Sequence, residues 1–259
     1  MVCSYLAYGL CFVLAYLLAV SCAFSQGTAK QVTHQQLIWY GYHNTLELHP
    51  KWLVNTEVEE RRFMNPDAQH HFLVRSQLRR QLGNNWDASV GFMYSLQSPQ
   101  EPKSTENLVV PELRPHLQLD YRQALNKLTI AHRYRAERRY FRNTANEDLA
   151  EGYQANYRFR YRLSLEYPLF LIRQQALRVR VNDEIMINAG KRVANNRFDQ
   201  NRIYLGLSYP IHKSINLEAG YLKWFQQRAS GSQFYSRDII RLIVNHKINL
   251  RRKETDAVE

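Results

Sequence analysis

Cysteine is nearly missing from this chain. Its three cysteines, Cys3, Cys11 and Cys22, lie in the first 25 residues, and none follows. That excludes a disulfide framework, thiolate catalysis and cysteine metal sites from everything downstream. The same 25 residues contain no Asp, Glu, Lys or Arg. Beyond them no apolar run approaches the ~20 residues that a spanning helix needs. A mean hydropathy of −0.51 likewise excludes a helical membrane protein, though not a barrel, whose strands are only half apolar. Glycine-rich phosphate loops and metal-ligand spacings are absent as well, so no cofactor is expected.

The uncharged N-terminus is an apolar run, Leu10-Cys11-Phe12-Val13-Leu14-Ala15-Tyr16-Leu17-Leu18-Ala19-Val20, followed by small residues up to Ser25. This is the layout of a signal peptide over residues 1–25, with a mature start near Gln26. The run is short for the competing reading, a membrane anchor. Leu18-Ala19-Val20-Ser21-Cys22 also reads as a loose lipobox, which leaves lipidation of Cys22 open. The formal net charge is +12. A strongly basic chain raises nucleic acid as a partner. Export argues against it, and so do the arginines, which alternate with apolar residues instead of clustering. No nucleic-acid partner is expected.

Tyr157 to Tyr167 reads Tyr-Arg-Phe-Arg-Tyr-Arg-Leu-Ser-Leu-Glu-Tyr, with every odd position apolar or aromatic and every even one polar. Period two makes this a strand with one greasy and one charged face. From Tyr153 to Pro168 it runs far past the ~5–6 residues of an ordinary strand and past the ~9–11 that a transmembrane strand needs. Eleven such segments follow the signal: 36–48, 52–63, 70–82, 86–97, 112–124, 127–141, 153–167, 177–188, 198–209, 215–227 and 238–250. Short links, at 49–51, 83–85, 125–126 and 210–214, alternate with longer polar ones at 64–69, 98–111, 142–152, 189–197 and 228–237; the link 168–176 is longer but partly apolar. Short periplasmic turns facing longer outer loops mark an outer-membrane barrel. Single-chain bacterial barrels have even strand numbers. A further strand is therefore expected within 27–35. The predicted fold is an all-β, antiparallel up-and-down transmembrane barrel over residues 26–250, with about 12 strands or alternatively 10, and a charged periplasmic tail at 251–259. Trp52, Trp86, Tyr121, Tyr167 and Tyr209 flank the short links, as an interfacial aromatic girdle requires. A soluble secreted β-sandwich binding module is the competing architecture, but it does not need strands this long.

The polar faces carry a charge ladder. Its members are Glu57, Glu59, Arg61, Arg75, Arg79, Arg114, Asp120, Arg133, Arg135, Glu137, Arg158, Arg160, Arg162, Glu166, Arg178, Arg180, Glu184, Arg202, Glu218 and Arg241. In a barrel these side chains point into the lumen. They then either fill it as Arg–carboxylate pairs or leave a cationic path that attracts anions. Glu57 and Glu59 share a face at about 7 Å, near an inverting glycosidase's spacing, but the arginines around them favour salt bridges. His212-Lys213-Ser214 has the His-x-Ser pair of lipid A deacylases, yet it falls in a short turn on the periplasmic side, where a plain polar turn is expected. His70 and His71 are adjacent, so they are expected on opposite faces, where they chelate poorly. No catalytic or metal-binding residues are expected.

The chain resembles a family of Gram-negative outer-membrane barrels catalogued as domain of unknown function 2490. The resemblance lies in Leu37-Ile38-Trp39-Tyr40, in Leu46-Glu47-Leu48-His49-Pro50-Lys51-Trp52 and in Glu57-Val58-Glu59-Glu60-Arg61. It continues through Asn85-Trp86-Asp87-Ala88-Ser89-Val90-Gly91-Phe92 and Arg158-Phe159-Arg160-Tyr161-Arg162. It implies an integral outer-membrane barrel and transfers no activity. The chain departs from outer-membrane proteins at large in ending its last strand on Ile248-Asn249-Leu250 instead of an aromatic. The expected role is structural, or passage of small anions. A lipid-modifying enzyme is the alternative. Expected partners are outer-membrane lipid, lipopolysaccharide and the barrel-assembly machinery.

Overall fold

The computed structural model describes residues 30–191 and 193–250; the expected signal peptide, Cys22 and the charged tail lie outside the described residues. Among the described residues, eleven strands close into one barrel. They are β1 (Gln31–His49), β2 (Trp52–Met64), β3 (Asp67–Gly83), β4 (Trp86–Gln97), β5 (Val110–Leu125), β6 (Leu128–Ala145), β7 (Asp148–Ile172), β8 (Gln175–Ala189), β9 (Phe198–Pro210), β10 (Ile215–Gln227) and β11 (Gln233–Asn249). The shortest, β4, has 12 residues. At ~3.4 Å per residue and a ~40° tilt it climbs about 30 Å, the thickness of a bilayer core.

All eleven strands expected from the alternation are present, but the twelfth is not. Residues 31–35 continue straight into β1 instead of forming a strand of their own. Strands alternate in direction around the barrel, so an odd number makes the closing pair, β1 and β11, run in parallel. Contacts at both ends of the seam fit this. Arg237 Nε donates to Gln35 Oε1 at 2.7 Å where both strands begin. The Leu250 amide donates to the Glu47 carbonyl at 3.1 Å where both end. The ten consecutive pairs are antiparallel.

The apolar sets face outward. Leu117 is 63% exposed and Phe159 51%. An exposed apolar face on a closed sheet rules out the soluble sandwich, which would cover that face with a second sheet. The girdle residues stand on the outer face beside the short turns. Trp86 and Tyr121 are cross-strand partners with ring centroids 4.9 Å apart, and the Tyr209 hydroxyl donates to the Ile172 carbonyl at 2.9 Å.

The links differ partly from expectation. On the short-turn side every link has two or four residues. On the other side, 64–69 and 142–152 are hairpins with two-residue turns, not long loops. Asn146 and Glu147 both take positive φ (50° and 65°), as do Arg173 and Gln174 (47° and 66°) in the link 168–176. This is the twisted two-residue turn that continues strand pairing. Residues 98–109 form a true loop, and it reaches across the mouth. The Gln100 side-chain oxygen is met by Arg237 of β11 at 3.0 Å and lies 3.1 Å from His70 Nε2 of β3. Gln35 of β1 donates to the Gln100 carbonyl at 2.9 Å, and the Tyr235 hydroxyl donates to Glu101 at 2.9 Å.

Candidate functional site

The lumen has two unlike walls. Across β5–β8 it is ionic, because inward positions stack in register. Asp120, Arg133, Arg162, Glu184 and Arg202 form one row of successive cross-strand partners, and Gln118, Arg135 and Arg160 form the next. Glu137 is the hub. It accepts from Arg158 at 2.5 Å and from Arg160 at 2.8 Å, and Arg114 and Arg135 each lie 3.7 Å away. Glu184 binds Arg133 at 2.5 Å and Arg160 at 2.9 Å. Glu137 is 2% exposed and Arg135 3%. In so dry a setting the charge-assisted pairs are strong, and an unpaired member is costly.

The other wall, formed by β9, β10, β11, β1 and β2, is apolar and aromatic. Leu37, Trp39, Phe63, Tyr204, Leu222, Trp224 and Ile239 pack as one cluster inside the barrel. Trp39 and Trp224 meet edge to face at 5.7 Å. Arginines border the cluster by stacking: Arg61 over Trp39 at 3.9 Å, Arg202 over Trp224 at 4.5 Å and Arg237 over Trp224 at 4.4 Å. Gly206 and Gly220 are cross-strand partners, and the Tyr204 phenol lies where a Cβ on either would stand. The bare backbone admits the ring and lets its hydroxyl reach Glu218 at 2.9 Å.

The remaining ladder members run from mid-barrel to the short-turn end, except Arg61, which lies near the opposite end of β2. Arg75 binds Glu57 at 2.5 Å, and Arg61 binds Glu59 at 2.6 Å. Arg178 and Arg180 bind Glu166, and Arg180 and Arg241 bind Glu218. Arg79 pairs with Asp87, and Gln118 donates to Asp120 at 2.6 Å. His43, Glu57 and Glu59 bring ligand atoms within 4.8 Å of one another, a spacing open to a metal ion. Their carboxylates already face Arg75, Arg61 and Arg241, so a cation there must displace arginines. The same contacts make Glu57 and Glu59 salt-bridge partners instead of a glycosidase pair.

Several lumen residues escaped the sequence reading. Glu112 is fully buried and binds Arg114 and Arg139. It sits in phase, and the ladder pattern extended back to the first residues of β5 would have found it. Asp199, bound by Arg158 at 3.2 Å, is the extra residue of a bulge, and nothing in the sequence marks it. His70 is the extra residue of another bulge, opposite Arg61 and Arg62, so it and His71 are both buried instead of facing opposite ways. His70 packs edge-on against Phe63 at 5.0 Å and Trp224 at 5.7 Å. His212 Nδ1 lies 2.9 Å from Ser214 Oγ in an exposed turn, and among the described residues no carboxylate joins them.

A cavity of about 510 Å³ opens between the walls. Exposed Arg122 and half-exposed Arg178 line it at the short-turn end, and Trp39, Leu222 and Arg202 line it at mid-barrel. Ten arginines and five glutamates face it.

A family model described as "Protein of unknown function (DUF2490)" matches residues 36–235, most of the chain. The chain belongs to that family. Its barrel is similar to a solved structure titled "NanC porin structure in rhombohedral crystal form", with 15% sequence identity and a TM-score of 0.50, over 82% of this chain and 99% of that one. At that identity the likeness is one of fold. No curated protein matches the chain in sequence.

Proposed function

We propose that the protein is an integral outer-membrane barrel, exported by its N-terminal segment, whose role is structural or a narrow passage for small anions. The observation that carries this reading is the cavity lining, ten arginines against five glutamates. In a low-dielectric lumen that surplus attracts anions and repels cations. Constriction is supported by the filled walls and by Gln100 and Glu101 tied across the mouth. The apolar outer face and its girdle suit a lipid bilayer, with lipopolysaccharide outside, and a barrel of this kind enters it through the barrel-assembly machinery. Solute-flux measurements on liposomes carrying the refolded barrel test the passage. Slow entry of small anions, with cations of equal size excluded, is the expected result. Equal or faster cation entry contradicts it.

A further inference from the structure

Two arginines in the cavity stand where physics disfavours them. Arg133 and Arg162 are direct cross-strand partners on β6 and β7. Like charges directly opposite one another in a sheet repel. Glu184 relieves Arg133 through a 2.5 Å ion pair, but it also serves Arg160. Among the described residues no carboxylate lies within ion-pair distance of Arg162, nor of Arg202, the next arginine along the same row. Arg133 is nine-tenths buried, and its Nε, like that of Arg162, has no hydrogen-bond partner among the described residues. All three guanidinium groups line the cavity, which has room for a small solute.

We propose that this part of the cavity is a binding site for a small oxyanion of two or more negative charges, a phosphate or a polycarboxylate held among Arg133, Arg162 and Arg202. The row's two acids do not cover its three arginines, because Glu184, the cross-strand partner of Arg162 and Arg202, turns its carboxylate to Arg133 and Arg160. An oxyanion supplies the missing charge, and guanidinium groups match its oxygens in pairs. The proposal deepens the anion-passage reading and rests on it only in requiring that solutes reach the lumen. A purely structural arginine behaves differently. Removing it weakens the barrel whether or not an anion is present.

The test is calorimetric titration of the refolded full-length protein with inorganic phosphate, with citrate as the carboxylate arm and chloride at matched ionic strength. Melting is followed in each buffer. Phosphate or citrate is expected to bind with a stoichiometry of one and to raise the melting temperature, and chloride to do neither; whichever of the two binds more tightly identifies the oxyanion class. Arg162→Gln should weaken binding at least tenfold, yet melt no lower than the parent when the oxyanion is absent, because it relieves repulsion. Arg202→Gln should weaken binding without that gain. Arg138→Gln, on the outer face over Tyr140 and Tyr157, should change binding less than twofold. Undiminished binding in Arg162→Gln, a lower melting temperature or failure to fold of that variant without oxyanion, or an equal response to chloride overturns the proposal. Oxyanion binding as expected in a barrel that passes no anions would instead remove the passage reading and leave the site standing.

Discussion

The ionic wall and the aromatic wall of the lumen fill the same barrel by different physics. Around Glu137, four arginines share one carboxylate, and three of them reach a second acid as well: Arg158 binds Asp199, Arg160 Glu184 and Arg114 Glu112. Around Trp39 and Trp224, apolar side chains exclude water and the arginines stack from the border. The first wall is therefore intolerant of losing one member, and tolerant of losing matched members together. The second loses stability in proportion to the volume removed, and no partner can restore it.

Glu137→Gln breaks the comparison most severely. It leaves Arg158 and Arg160 buried without their shared carboxylate and should destabilise by about 3–5 kcal/mol, read as urea unfolding in lipid vesicles. Adding Arg160→Gln should recover part of that loss, which a double-mutant cycle measures; full additivity would mean that the hub is not coupled. On the aromatic wall, Leu222→Ala should cost about 2–5 kcal/mol in the same assay, with the loss unchanged by salt. Phe159→Arg puts a charge on the lipid-facing side of the ionic wall and should cost about 2–4 kcal/mol near mid-membrane. Arg160→Lys, one position along and pointing inward, keeps the charge and loses one of two carboxylate contacts, for about 1 kcal/mol. Equal losses for Phe159→Arg and Arg160→Lys would refute the assignment of faces.

These two walls were unequally legible in the sequence. Arg158, Arg160 and Arg162 alternate with Tyr157, Phe159 and Tyr161, and period two alone assigns them inward. The aromatic wall carries no such signal. Leu37 and Trp39 are inward on β1, whereas the outward partners of the same alternation, Ile38 and Tyr40, are equally apolar, so the pattern does not say which face is which. Bulges hid more. An extra residue flips the phase, so period two neither marks Asp199 as inward nor puts His70 and His71 on one face. Turns without glycine, at Asn146-Glu147 and Arg173-Gln174, read as loops although the strands stay paired right up to these two-residue turns. The eleventh strand's parallel return to β1 is a property of the whole ring, and the alternation rule for even barrels pointed to twelve.

The central claim is that the inward arginines outnumber the acids that bind them and set the sign of the lumen. A reversal potential across a planar bilayer under a salt gradient reads that sign directly. The account predicts small conductance with a reversal potential of anion-selective sign. A cation-selective reversal potential, or a large unselective conductance, would contradict it.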